Sequence, residues 1–203
     1  MNKKIIGIFV CMLISIVVFP FSVSAGDENN PEFEDEKDDI IIFEEYYSYF
    51  LNKFFKSVDI ISGWFFEESD SPDIIYISLK MGNLRLPRLF GIYAVVFVYN
   101  GTYYACGLRT HSKGDYFYEL VGYIDGQGEH YKNLIGISSF DTESNIITWA
   151  VPKELIGNPQ PGESIGSFYA NAFLRTKDEQ IIFDTPNILA DRVYSTNHYT
   201  IQY

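Results

Sequence analysis

From residue 57 onward, hydrophobic and polar residues alternate in short runs, which is the period of a β-strand with one buried face. The clearest run is 75–81, where Ile75, Ile77, Leu79 and Met81 share one face. Runs of this kind predict further strands at 59–67, 93–99, 102–109, 116–124, 145–151, 165–174, 180–184 and 199–203. Eight or nine short strands with almost no helical spacing predict an all-β fold, an antiparallel β-sandwich of jelly-roll or immunoglobulin-like type.

Turn-forming residues separate these runs and predict the corners of the fold. Asn100-Gly101 stands between two runs and is a strong hairpin signal, because both residues reach positive φ easily. In VPKELIG, which begins at Val151, Pro152 fits the first position of a single helical turn and Gly157 can close that turn in the left-handed conformation. Two proline-containing corners then lead into the next strand.

The first residues have the order of a secretory signal peptide. Lys3 and Lys4 precede an apolar run at 5–18, and small residues at 23–25 follow it. We expect residues 1–25 to be removed after Ala25, although an uncleaved anchor is the alternative for a run that is short for a bilayer span. The prediction is a secreted, extracellular or cell-surface protein without a membrane span after cleavage.

Two further regions precede the predicted sandwich, which occupies residues 57–203. Residues 26–39 carry eight carboxylates and one lysine with little to bury, which predicts a disordered acidic linker that at most collects divalent cations weakly. Residues 40–56 predict an amphipathic helix, because Phe43, Tyr47 and Phe50 recur at helical spacing. We expect the aromatic face of this helix to pack on the sandwich, and docking to a partner is the alternative.

Charge and cysteine content narrow the classes of partner. The formal net charge is −12 and no basic stripe offsets it, which argues against nucleic acid as a partner. After cleavage, Cys106 is the one remaining cysteine, so no internal disulfide can form. Cys106 alternates with Tyr104 and Leu108, as a buried thiol would.

Two segments carry a resemblance to a known group of domains. VPKELIG followed by NPQPGESIG (151–166) resembles the IPW-x-x-LG … P-x-x-G-D-x-I-G segment of family-nine carbohydrate-binding modules and the related DOMON sandwiches. VDIISGWFFEE (58–68), followed by IIYISLKM (74–81), is similar to the first hairpin of those domains. The resemblance covers residues 58–203 and implies a β-sandwich that binds sugars or haem, or that is an accessory module on secreted proteins.

Candidate sugar-binding residues are the aromatic side chains, because a pyranose presents apolar C–H faces that stack on rings and hydroxyls that polar groups recognise. Trp64 and Trp149 are the first candidates for stacking, but both lie within apolar runs, where core packing is the favoured interpretation. The other candidates lie on the central strands: Tyr103, Tyr116, Tyr118 and Arg109.

Other residues suggest cofactors or modification. The DOMON resemblance implies haem ligation by a methionine and a histidine, for which Met81 with His111 or His198 are the candidates, although Met81 shares the alternation of core residues. His130 is expected in a loop. Oxygen-rich loops can bind calcium, and solvated turns are the alternative for the four candidates Asp125, Glu129, Asp141 and Glu143. Asn100 begins an Asn-Gly-Thr glycosylation acceptor at a hairpin tip.

The stretch GESIG (162–166) matches the G-x-S-x-G pattern of hydrolases, but its context does not fit catalysis. A nucleophile elbow needs a strand before the serine and a helix after it, whereas Ser164 follows a Pro-Gly turn and enters a predicted strand. We therefore predict no enzyme. The leading hypothesis is a secreted, non-catalytic binding or accessory module for carbohydrate or another surface ligand. The alternatives are a haem-binding electron carrier and a structural protein that binds a cell-envelope component.

Overall fold

The computed structural model describes residues 26–42, 55–84, 90–110, 116–124, 129–134, 138–175 and 189–203. The predicted signal peptide, most of the predicted helix at 40–56 and the predicted strand at 180–184 lie outside these residues. No helix in the described part of the chain is both long and apolar enough to cross a bilayer.

Nearly all of the described chain is β-structure, which confirms the predicted all-β fold. Two short 3₁₀ turns, Phe55–Ser57 and Lys153–Ile156, accompany the strands. The strands are β1 (Phe33–Glu34), β2 (Ile41–Ile42), β3 (Ile60–Phe66), β4 (Ile74–Met81), β5 (Phe90–Tyr99), β6 (Thr102–Thr110), β7 (Tyr116–Ile124), β8 (Glu129–Leu134), β9 (Ser138–Asp141), β10 (Ile146–Pro152), β11 (Ser164–Arg175) and β12 (Leu189–Thr200).

The strands form two antiparallel sheets that pack face to face. Sheet A has five strands in the order β1-β3-β4-β10-β9, and sheet B has seven in the order β2-β12-β11-β5-β6-β7-β8. Phe65 of sheet A lies at the centre of the core, with its ring centroid 4.4 Å from that of Phe168 and 5.8 Å from those of Phe97 and Tyr199 in sheet B. Because successive side chains of a strand point to opposite faces of its sheet, the inner side chains of both sheets form one core between two layers.

The local turn signals are also found in the structure. Asn100 and Gly101 have φ values of 48° and 75° and join β5 to β6, as the hairpin prediction requires. The single turn at Lys153–Ile156 ends at Gly157, whose φ of 89° is left-handed. Pro152 is the last residue of β10 and precedes the turn, one position before the one predicted for it.

Three strands after β3 differ from the sequence prediction. The closing strand is β12, which begins at Leu189 and ends at Thr200, so the predicted strand at 199–203 is wrong for its last residues. Polar side chains on both faces hide the alternation of β12, because buried Asp191 takes an inner position beside Val193. The sequence also missed β8 and β9, and His130, expected in a loop, lies within β8.

The region before β3 packs against the sandwich instead of standing free as an acidic linker. We call residues 32–42 the N-terminal strap. Its first strand, β1, pairs with β3, and Phe33 is buried because its ring lies over Gly63, where any Cβ would collide with the ring. Its second strand, β2, pairs with the start of β12, so Ile41 and Ile42 are not the first turn of the predicted helix. The strap therefore adds one edge strand to each sheet.

Candidate functional site

Neither tryptophan is placed to stack on a ligand. Trp149 has 0% exposure and lies between the sheets, paired with Ile77. Trp64 lies on the opposite face of sheet A from Phe65, but it has only 7% exposure. Trp64 and Trp149 are therefore not available as stacking residues, and both are buried, as their positions in apolar runs favoured.

Tyr103 is the one predicted sugar-binding residue that the described structure shows as exposed, at 48%. The backbones of Tyr116, Tyr118 and Arg109 lie toward the other end of the same strand pair, where Arg109 stands opposite Phe117 and Tyr118 opposite Leu108. Six residues separate Tyr103 from Arg109 along β6, which is about 20 Å of extended chain. The fold therefore does not gather the predicted central-strand residues around Tyr103.

Tyr103 instead meets residues of β11 and β12 on the outer face of sheet B. Together they line an open groove with a volume of about 380 Å³. We call it the tyrosine groove, and its lining residues are Tyr103, Ser167, Phe168, Tyr169, Tyr194, Ser195 and Thr196. Since β5 and β11 separate β6 from β12, the groove crosses four adjacent strands, or about 14 Å.

A β-bulge in β11 shapes one side of the groove. The pairing of β11 with β12 shifts register between Gly166 and Phe168, and Ser167 between them has a φ of 53°. A bulge of this kind bends the strand and turns its side chains away from the regular alternation. Ser167 is consequently exposed at the groove, while Phe168 still fills the core.

The aromatic rings of the groove come from three different strands. Tyr194 is 68% exposed, and its ring centroid lies 5.8 Å from that of Tyr169, with the two planes tilted by 31°. Tyr103 approaches from β6 on the other side. Among the described residues, the exposed large hydrophobic side chains are Tyr103, Tyr194 and Tyr203, so two of the three line this groove.

Polar side chains continue the outer face beyond the rings. Asn171 follows Tyr169 on this face of β11 and stands opposite Arg192 of β12. Arg192 is exposed, and its guanidinium carbon lies 5.9 Å from the centre of the Phe173 ring. The groove thus offers rings for stacking and the hydroxyls of Ser167 and Thr196 for hydrogen bonding, with the exposed Arg192 guanidinium farther along β12, whereas the Asn171 amide is buried.

The haem candidates do not come together in the described structure. Met81 is buried in the core and pairs with Ile60, whose N–H donates to Asp191 of β12. His198 is exposed and lies seven residues farther along β12, about 23 Å of strand away. Met81 and His198 therefore cannot ligate one iron in this fold, and His111 lies outside the described residues.

The predicted calcium loops are also separated. Glu129 lies in β8 at the edge of sheet B, whereas Asp141 ends β9 at the edge of sheet A, and Asp125 lies outside the described residues. Asp141 accepts hydrogen bonds from the Ser144 hydroxyl at 2.6 Å and from the backbone N–H of Glu143 at 2.8 Å, which lower the pKa of Asp141. The exposed turn at Asp141 therefore has the hydrogen bonds of a solvated turn, which was the alternative to calcium binding.

Other acidic side chains, which the sequence did not single out, could hold a metal. Asp35, Asp39 and Asp191 each offer a carboxylate oxygen within 4.8 Å of the other two. The first two belong to the N-terminal strap and the third to β12. No local spacing in the sequence could have revealed this cluster, because strand pairing brings the two ends of the chain together.

The remaining motif residues lie on the surface. Asn100 is exposed at the β5–β6 hairpin tip, where a glycan would have room. Ser164 opens β11 after Gly162, whose φ is 88°, so a strand and not a helix follows the serine. The strand–serine–helix order of a nucleophile elbow is thus not formed by these residues.

No family model, curated protein or solved structure matches this chain. The resemblance of residues 58–203 to family-nine carbohydrate-binding modules and DOMON sandwiches therefore stays a prediction. The groove has to be interpreted from its own chemistry.

Proposed function

We propose that this protein is a secreted, non-catalytic binding module that holds a carbohydrate in the tyrosine groove. The observation that carries the proposal is the convergence of Tyr103, Tyr169 and Tyr194 from three strands on one open groove with hydroxyl residues at its side. A sugar ring has an apolar C–H face that stacks on an aromatic ring and a rim of hydroxyls that polar side chains recognise.

The exposure of these rings supports a binding role. An aromatic side chain contributes most to stability when it is buried, so a tyrosine that is 68% exposed, such as Tyr194, adds little to the core. Clustered exposed apolar surface is typical of interaction sites, whereas single exposed residues need no explanation. Strands hold the rings in place before a ligand arrives, which reduces the entropy lost on binding.

The overall charge favours a neutral ligand. The net charge of −12 repels polyanions at a distance, which disfavours acidic polysaccharides and phosphate-rich polymers. Stacking on tyrosine and hydrogen bonding to serine and threonine require no charge on the ligand. We therefore place neutral glycans first among carbohydrate classes.

Secretion is part of the same proposal and rests on the order of charged, apolar and small residues in 1–25. A secreted module encounters glycans of cell surfaces and extracellular polymers. Sequencing the amino terminus of exported protein tests this part: a chain that begins at Gly26 supports it, and a chain that retains residues 1–25 contradicts it.

Glycan binding to the intact protein and its single tyrosine variants tests the groove. We expect Tyr194→Ala and Tyr103→Ala each to weaken binding of a neutral glycan roughly ten-fold or more, which corresponds to about 1.4 kcal/mol. The matched control is Tyr203→Ala, because Tyr203 is 47% exposed but lies outside the groove. Isothermal titration against glycans selected on an array measures the affinities.

The outcomes separate the candidate functions. Loss of affinity in the two groove variants with an unchanged Tyr203→Ala supports carbohydrate binding at this site. An array without a single bound glycan contradicts the proposal, and selective loss of an envelope-protein interaction in the same variants would assign the groove to the structural alternative instead.

A further inference from the structure

Carboxylates of three chain segments meet where the N-terminal strap crosses from sheet A to sheet B. Asp35 and Asp39 come from the strap, Asp191 comes from β12, and one oxygen of each lies within 4.8 Å of the others. Asp59, next to the start of β3, lies beside them. We call these four side chains the carboxylate cluster.

Hydrogen bonds orient buried Asp191 and partly buried Asp35. Asp191 accepts from the N–H of Ile60 at 2.7 Å and from the N–H of Arg192 at 2.6 Å. Asp35 accepts from the N–H of Glu36 at 3.0 Å through one oxygen, and its other oxygen is buried with no hydrogen-bond partner among the described residues. Backbone N–H groups therefore orient the carboxylates but leave part of their capacity to accept hydrogen bonds unused.

Asp59 gives the second and independent indication that a ligand belongs here. Its side chain has 0% exposure, and one oxygen accepts from the N–H of Asp38 in the strap at 2.8 Å. The other oxygen has no hydrogen-bond partner within the part of the chain that the structure describes. A buried carboxylate without a compensating partner is costly, and such groups are normally paired with a cation or bound to a metal.

Electrostatics shows that the four groups act on one another. Burial and then the charges of Asp191 and Asp39 raise the pKa of Asp35 to about 6, and the charge of Asp59 raises it further. Burial also raises the pKa of Asp191, and the charges of Asp39 and Asp59 add to that shift. No ion pair between described residues reaches the cluster, and the charge of Lys37 in the strap offsets only part of the rise in the pKa of Asp59.

We propose that Asp35, Asp39 and Asp191 bind a calcium ion, and that the buried charge of Asp59 behind them strengthens the attraction. Calcium prefers hard oxygen donors at 2.3–2.6 Å, so oxygens on opposite sides of the ion lie about 5 Å apart. Three oxygens within 4.8 Å of one another can share such an ion, whereas magnesium demands a near-ideal octahedron and gives up its water reluctantly. Water and backbone carbonyls complete a shell of about six to eight ligands.

The proposed ion would hold the strap against the sandwich, because it joins strap residues to β12. This role is independent of the tyrosine groove, so carbohydrate binding can fail without affecting it. A ligand that binds only the folded state raises the stability of that state, and the gain increases with ligand concentration above the dissociation constant. Calcium should therefore raise the unfolding temperature of the intact protein.

Thermal unfolding of the intact protein in calcium, in magnesium and in chelator tests the site. We expect millimolar calcium to raise the unfolding temperature by about 5 °C or more over chelator, with a smaller effect of magnesium. Asp39→Asn removes an exposed ligand and should fold, raise the unfolding temperature in chelator because repulsion falls, and abolish the calcium response. The matched control is Glu143→Gln in the exposed turn after β9, which should keep the response.

Four results would overturn the proposal. They are an unfolding temperature of the unmodified protein that calcium does not change, an equal response to magnesium, a calcium response retained by Asp39→Asn, and a response abolished by Glu143→Gln. Calorimetric titration of calcium into the unmodified protein and Asp39→Asn gives the same decision without depending on unfolding, because the variant should bind at least ten-fold more weakly.

Discussion

At the scale of single residues, a buried ion pair joins the residues that follow β3 and β10 of sheet A. The Lys153 Nζ atom lies 2.6 Å from Oε1 of Glu67, and both side chains are almost fully buried. The other oxygen of Glu67 accepts from the Tyr199 hydroxyl at 2.9 Å and from the N–H of Gln202 at 2.6 Å. Lys153 also donates to the backbone carbonyl of Tyr203, so the network fastens the last residues of the chain.

Removing one member of this pair should be strongly destabilising. Lys153→Met leaves Glu67 buried without its counter-charge, for which we expect a loss of about 3–5 kcal/mol in the free energy of unfolding. The matched control is Lys80→Met, because Lys80 makes a 2.8 Å ion pair with exposed Glu28 and such surface pairs contribute about 0–1 kcal/mol. Urea unfolding measures both, and equal effects of the two substitutions would contradict the importance of burial.

At the scale of elements, alternation predicted the strands that have one hydrophobic face and missed those whose faces are mixed. β4 and β10 were predicted because their inner positions are uniformly apolar. β12 was largely missed because buried Asp191 interrupts its apolar face, and β1 was missed because acids surround Phe33. The alternation of side chains indicates which positions are buried. It does not indicate a strand that is stabilised mainly by pairing at the edge of a sheet.

The candidate site was predicted only in part for a related reason. Tyr103 was a candidate from its strand, but Tyr169 and Tyr194 become neighbours through the register of β11 with β12. The bulge at Ser167, which shapes the groove, leaves no signal in local composition. Pairing register is a property of the folded sheet, so a single sequence does not specify which tyrosines meet.

The short turn after β10 provides a test of local backbone geometry. Gly157 has a φ of 89°, and a side chain there would be strained besides lying 3.3 Å from the Tyr99 ring. We expect Gly157→Ala to lower the free energy of unfolding by about 1–2 kcal/mol. Exposed Glu154 in the same turn supplies the control, since Glu154→Ala should change it by less than about 0.5 kcal/mol. Chemical unfolding that shows no difference between the two variants would contradict the assigned turn.

At the scale of the whole molecule, the strap connects the two layers along one side. Glu32 accepts from the N–H of Phe65 in sheet A at 2.8 Å, while its backbone carbonyl accepts from Asn197 of sheet B at 2.6 Å. β1 and β2 cover edges of β3 and β12 that would otherwise be open to pairing with other chains. The strap is thus part of the sandwich rather than a tether beside it.

Docking of the strap should make stability depend on pH. Burial raises the pKa of Glu32 from 4.5 to about 7, so the folded state holds this proton more tightly than the unfolded state. The stabilisation is fully present below pH 4.5 and is lost as pH rises through 7, with a magnitude on the order of 2 kcal/mol. Glu32→Gln should therefore be more stable than the unmodified protein at pH 8 and lose this dependence. If the unfolding free energies of Glu32→Gln and the unmodified protein changed with pH in the same way, the assigned role of Glu32 would be wrong.

The strap also determines when the fold can be completed during synthesis. Glu32 and its partner Asn197 are 165 residues apart, so the strap leaves the ribosome long before β12 exists. Contacts of such large sequence separation form slowly, because a long loop must close before they are gained. The nascent chain can pair β1 with β3 early, but β2 stays unpaired until β12 has been made, so synthesis of β12 allows the strap to dock on sheet B.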